Sequence, residues 1–167
     1  MNIIKGSVNL IGLHLKALPD FLINLTVDGG FFCANNKLIS LNGCPKTING
    51  RFVCSNNRLT SLKGGPKHIL FNYDCSSNEL NSLEGCPRII NGDFYCSYNR
   101  LTSLKGGPEI IKGDFILNNN RLTSLEGCPK IVTGDFVCGS VNFTEKYIRS
   151  ICKIEGIVGD RLSMNFD

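Results

Sequence analysis

Between residues 29 and 133 the chain restates one 21-residue phrase five times, and a sixth copy opens at Gly134. Residues 92–112 read GDFYCSYNRLTSLKGGPEIIK and residues 113–133 read GDFILNNNRLTSLEGCPKIVT, almost position for position. A unit this short cannot bury an apolar face alone and does so only by stacking on copies of itself. A strict period of this length therefore commits the chain to a linear array. Chemistry in such an array lives in columns, the residues that stacking brings to the same place in successive coils.

With 42% hydrophobic residues in a chain of 167, one linear core can be filled, and nothing marks a second domain. The expected organisation is a degenerate N-terminal coil over 6–28, five repeats over 29–133, a partial coil over 134–142 and a C-terminal cap over 143–167. A net charge of +4 is mild beside the basic stripe of a dedicated nucleic-acid binder. The N-terminus, MNIIKGSVNLIGLHLK, alternates apolar and polar residues and lacks an uninterrupted apolar run. It therefore reads as neither a signal peptide nor a membrane span, and the expected location is the cytoplasm.

Nine cysteines is an odd count, and their placement follows the repeat. Cys33, Cys54, Cys75, Cys96 and Cys138 hold one position, with Leu117 in that slot in the remaining unit, which makes the slot apolar and inward. Stacked strands lie about 4.8 Å apart, wider than the Cβ separation of about 3.8 Å that a disulfide prefers. Free thiols acting as small hydrophobes are expected. Cys44, Cys86 and Cys128 recur in every second unit, too far apart to bridge. Without a CxxC pair or a histidine at ligand spacing, no zinc site is expected either.

Within a unit, FxCSxNxL carries the architecture, as in Phe52, Cys54, Asn57 and Leu59 or Phe94, Cys96, Asn99 and Leu101. Asn36, Asn57, Asn78, Asn99 and Asn120 form a column where the chain leaves the strand. A buried amide side chain there offers both donors and an acceptor to main-chain groups that have lost their partners. The spacing of this segment resembles the LxLxxNxL core of the leucine-rich repeat, with Phe and Cys replacing two leucines. One departure is a Gly-Asp pair that places Ile90 and Ile111 four residues before the Phe. The resemblance implies a β-solenoid, a right-handed coil of 21-residue units with a parallel concave sheet; the repeat prolines and the apolar spacing near the C-terminus add a non-helical convex side and a C-terminal capping helix. The resemblance also implies protein binding on the concave face.

The second half of each unit, LTSLxGCPxxI or LTSLxGGPxxI, adds two inward leucines. Pro45, Pro66, Pro87, Pro108 and Pro129 then forbid a helix through that arc. Lys63, Glu84, Lys105 and Glu126 alternate in one column and can pair across coils. The degenerate first coil carries Leu10, Leu13, Leu15 and Leu18 in LIGLHLKALPDFL. At the other end Thr144 is an N-cap candidate, Glu145 follows it, and Tyr147, Ile148, Ile151 and Ile154 fall at helical spacing before Gly156. That helix is expected to cover the open face of the last coil.

Alternation along DFxCSx turns Phe and Cys inward and sends the other residues to the concave side. The central outward column is Phe32, Val53, Asp74, Tyr95, Ile116 and Val137. On one side of it lie Arg51, Asn72, Asp93, Asp114 and Asp135. On the other lies a small column (Ala34, Ser55, Ser76, Ser97, Asn118), then Asn35, Asn56, Ser77, Tyr98 and Asn119. The Asp column reads as the turn residue of each Gly-Asp entry and, compatibly with that, as an acidic strip for a cationic partner. The expected partner-binding residues are Phe32, Val53, Asp74, Asp93, Tyr95, Tyr98, Asp114 and Ile116, with the two tyrosines as anchors. A basic edge of Lys37, Arg58, Arg100 and Arg121, with Lys46, Lys67, Arg88 and Lys130 after the prolines, is the alternative surface, for nucleic acid or phosphate. Glu79 and Glu109 interrupt it, and no stacking aromatics interleave. His14 and His68 are isolated, and no catalytic constellation, cofactor motif or metal-ligand set stands out, so no enzymatic activity is expected.

The GDFxCSxNxLTSLxGCP units followed by NFTEKYIRSICKIEG resemble short leucine-rich-repeat proteins of large tailed bacteriophages, in which residues like Asn142, Phe143, Thr144 and Glu145 recur at the end. That resemblance implies an accessory protein acting on a host factor, such as a defence component. A structural particle component assembled through the solenoid ends is the third class considered.

Overall fold

The computed structural model describes residues 2–139 and 143–159. It is a parallel β-solenoid in which two columns of very short strands run along the stack. The first column holds eight strands, including Phe31–Phe32, Phe52–Val53, Tyr73–Asp74, Phe94–Tyr95, Phe115–Ile116 and Phe136–Val137, all paired in parallel and in register. The second column comprises two four-stranded sheets, one ending at His68–Ile69 and the other beginning at Ile89–Ile90. In the repeats a proline-bearing arc joins the first column to the second, and a tight corner, carrying glycine in every unit but that of Phe71, leads into the next coil.

The core is a set of aligned side-chain files. Phe31, Phe52, Tyr73, Phe94, Phe115 and Phe136 are fully buried and stack with ring centroids 4.9 to 6.1 Å apart along the axis. Beside them run Cys33, Cys54, Cys75, Cys96, Leu117 and Cys138, all buried, then the paired leucines of each LTSL segment. All nine cysteines are free thiols. Leu117 in the thiol file and Tyr73 in the phenylalanine file show that both are packing positions. The Tyr73 hydroxyl, however, is buried with no hydrogen-bond partner.

The asparagine column ties each coil to the one before it. Asn57 Oδ1 accepts from Leu38 N–H at 3.0 Å, while its Nδ2 donates to the Cys33 and Cys54 carbonyls at 3.0 and 3.1 Å. Asn78, Asn99 and Asn120 repeat the pattern one coil further on each time. In the charge column Lys63 pairs with Glu84 and Lys105 with Glu126, each at 2.9 Å and well exposed, so each adds only about 0.5 kcal/mol.

In the first coil Leu10, Leu15 and Leu18 pack inward while Leu13 is exposed, beside His14 in a left-handed conformation. The C-terminal end departs from expectation. The C-terminal helix spans only Glu145–Ile151, with the Thr144 hydroxyl accepting from Tyr147 N–H at 3.2 Å and Cys152 ending it in extended geometry. Ile148 faces the core while Tyr147 and Ile151 stay exposed. Ile154 belongs to a strand, Lys153–Ile154, paired with Ile131–Val132, and Val158–Gly159 pairs with Phe136–Val137. The helix thus replaces the proline arc of a final coil instead of lying across its open face. The helical spacing ran past Ile151 because Ile154 keeps the apolar phase while changing structure. Asn142 of the terminal motif and residues 160–167 of the cap lie outside the described residues.

Asn78→Ala strands the Leu59 amide in a buried seam and removes one of two side-chain donors from each of the Cys54 and Cys75 carbonyls, which keep Asn57 and Asn99. It should destabilise the fold by about 1–3 kcal/mol in urea denaturation, the cost of one buried unpaired polar group. Burial also pushes the Cys33 thiol up to about 12, and the Cys44, Cys54 and Cys75 thiols well above their ordinary value of 9.0. Because the folded chain holds these protons more tightly, their contribution is fully present below pH 9.0 and is lost as pH climbs from there toward 12. Stability should therefore fall steeply in that window, by up to about 1.4 kcal/mol per pH unit for each group. A denaturation series from pH 7 to 11 that stayed flat would contradict buried thiols.

Candidate functional site

The face formed by the outward residues of the first strand column is built mostly from residues already engaged with their neighbours. Each regular strand there is only two residues long, so outward alternation holds for one residue per coil: Phe32, Val53, Asp74, Tyr95 and Ile116, all half-buried, and Val137, buried. The Phe32 ring lies over Gly30, where an added Cβ would come within 2.5 Å of its Cζ. Asp74 Oδ1 accepts from Ser76 N–H at 2.9 Å, closing a local turn.

The Asp column is a hydrogen-bond file. Asp93 Oδ1 accepts from Asp114 N–H at 2.9 Å and Asp114 Oδ1 from Asp135 N–H at 2.9 Å; Asp135 Oδ1 accepts from Ile157 N–H at 2.9 Å. Asn72 Oδ1 plays the same part for Asp93 N–H at 3.1 Å. The second oxygen of Asp93 takes Asn72 Nδ2 at 3.0 Å and the Tyr95 hydroxyl at 2.7 Å. Stacked carboxylates are thus each compensated by a main-chain donor. These bonds fit the turn-residue reading, and the Tyr95–Asp93 bond fixes where the Tyr95 ring points.

Beyond the strand the expected pattern fails. Ala34, Ser55 and Ser97 are buried instead of facing outward, because the chain has already begun to turn. The next column, Asn35, Asn56, Ser77, Tyr98 and Asn119, sits in the left-handed region at φ 53 to 56°. That conformation crowds Cβ against the carbonyl and is tolerated best by Asn, whose side chain bonds locally. The Asn-rich composition of the column was the available signal for it. Tyr98 is the exception: a bulky ring held in the same geometry, 62% exposed.

Among the described residues no group of His, Cys, Asp and Glu is arranged to hold a metal ion, and no helix is long and apolar enough to cross a membrane. On the basic edge, Arg100 pairs with Glu79 at 2.9 Å, and Arg88 and Lys130 share Glu109 at 2.8 and 3.1 Å. Those bonds hold the Glu109 carboxyl below its ordinary value. No protein-family model, curated protein or solved structure matches the chain.

The strain at Tyr98 is measurable. Tyr98→Asn, the residue that Asn35, Asn56 and Asn119 supply in other coils, should stabilise the protein by about 1 kcal/mol, the scale of the left-handed penalty for a side chain with a Cβ. Asn119→Tyr should cost a similar amount. Equal stability of both variants with the parent would show that the turn accepts Tyr without strain.

Proposed function

We propose that this protein is a non-enzymatic protein-binding module of leucine-rich-repeat type that engages its partner on the first-column face, around Asp74, Tyr95, Tyr98 and Ile116. The observation that carries this reading is Tyr98, an exposed aromatic kept in a strained left-handed turn. Strain maintained without a packing return marks residues retained for contact with something else. Tyr95, oriented by Asp93, and half-buried Ile116 and Val53 supply an apolar floor beside it. Aromatic anchors ringed by weaker contacts are the usual energetic centre of a protein interface. Asp74 borders the patch and favours a locally basic partner. The terminal motif extends the reading to an accessory protein of a tailed bacteriophage, acting in the host cytoplasm on a host factor such as a defence component.

Nucleic-acid binding along the basic edge is the weaker reading, since three of its cations are engaged by Glu79 and Glu109. Affinity capture from bacterial lysate with matched variants separates the two. Tyr95→Ala with Tyr98→Ala should weaken retention of a specific partner by about 100-fold or more, because hot-spot anchors contribute 2 kcal/mol or above. Arg100→Ala with Arg121→Ala should change it little. The reverse ranking would move the site to the basic edge.

A further inference from the structure

The second strand column is broken at one place, and the break is a cleft. On either side the coils are joined regularly: Lys67 N–H donates to Lys46 O at 2.9 Å and Glu109 N–H to Arg88 O at 2.8 Å. Between them, Arg88 N–H has no bond to Lys67 O, His68–Ile69 does not pair with Ile89–Ile90, and Asn91 reaches Ile69 O only through its side-chain amide, at 3.1 Å. The first column stays closed at the same level, with Tyr73–Asp74 paired to Phe94–Tyr95. The two coils are therefore wedged apart on one side only.

The sequence is irregular at the same coil. At the corner preceding the first column the other units carry Gly29, Gly50, Gly92, Gly113 and Gly134, but this one carries Phe71, preceded by Leu70. An added Cβ at a glycine corner meets the preceding coil, 2.7 Å from Gly92 C at Gly113 and 2.6 Å from Gly113 C at Gly134. The Phe71 side chain therefore faces the Gly50 coil, which stays joined to it. Gly92 packs on Phe71 as the other corners do, its Cβ position 2.9 Å from Phe71 C, so the corner is closed and the opening is confined to the second column. Leu70 and Phe71 are left half in solvent, 51% and 54% exposed.

The wedge opens a cavity of about 530 Å³ with a chemically one-sided lining. Lys67, Arg88 and Lys112 contribute cationic side chains, His68 and Asn91 further polar ones, and Ile69, Leu70, Pro87 and Ile89 an apolar wall; no carboxylate lines it. Among the described residues Lys67 and Lys112 make no ion pair, whereas Arg88 is held by Glu109 at the rim. The volume lies within the roughly 300–1,000 Å³ typical of small-molecule sites and is far larger than a bare oxyanion needs.

We propose that this cleft is a binding site for a small organic phosphate, its phosphoryl group held by Lys67, Lys112 and the unpaired Arg88 N–H, and its apolar body resting against Ile69, Leu70 and Ile89. A dianion suits two uncompensated ammonium groups and a free main-chain donor, and the apolar wall selects for a hydrophobic body over a free ion. The site is distinct from the tyrosine patch and lies around the Gly-Asp corner from it.

The test uses 1-naphthyl phosphate as the probe, with inorganic phosphate, 1-naphthol and a short single-stranded oligonucleotide alongside, followed by calorimetry and amide NMR. Naphthyl phosphate should bind saturably with shifts at Arg88, Asn91 and Lys112, at least about ten-fold tighter than either half-molecule. Lys67→Ala with Lys112→Ala, both exposed and fold-neutral, should weaken it about ten-fold or more. Ile89→Glu places a carboxylate on the half-exposed apolar wall, facing the same cations, and should abolish binding. Absence of saturable binding, equal affinity for inorganic phosphate, wild-type affinity in the lysine variant, or undiminished binding in Ile89→Glu would each overturn the assignment. Tighter binding of the oligonucleotide would assign the cations to nucleic acid instead.

Discussion

Main-chain hydrogen bonding between coils is the constraint on which the rest of this solenoid depends. With regular strands only two residues long, most of each coil consists of turns and arcs whose amides and carbonyls find no partner within their own coil. Two side-chain files make good the deficit. The Asn36-to-Asn120 file donates to carbonyls of its own and the preceding coil and accepts an amide from the arc of the preceding one. The Asp93-to-Asp135 file accepts amides at the opposite end of the strand. Bracketed by these files, the aromatic and thiol columns need only be apolar and of the right volume, so Leu117 and Tyr73 are admitted.

This arrangement explains which parts of the sequence were legible. The period, the inward Phe and Cys columns, the role of the asparagines and the pairing of Lys63 with Glu84 and of Lys105 with Glu126 could all be read from residue identities, because each repeats and each has one physical use. The Asp column was legible as the turn residue of each Gly-Asp entry, but the amides it accepts from the next coil were not.

What could not be read came from positions where local conformation overrides alternation. A period of two was extended over DFxCSx, but the strand ends after two residues. Ser55 and Ser97 therefore turn inward, and Tyr98 lands in a left-handed turn whose nature only the Asn-rich column betrayed. The Ile148–Ile154 spacing fitted a helix because a strand beginning at Lys153 happened to keep the phase. The break in the second column beside Leu70-Phe71 had no sequence signal of its own, because it lies in main-chain pairing that residue identities do not report.

The interruption also bears on how the array holds together as a whole. In a one-dimensional stack, cooperativity passes only through nearest-neighbour interfaces, and one weakened interface divides the stack into segments that respond separately to stress. Here the weakened junction lies near the middle of the chain, in the coil that also buries the unpartnered Tyr73 hydroxyl. The described residues thus form two short, well-tied spools joined along one side, and bending or stepwise opening is directed to that hinge.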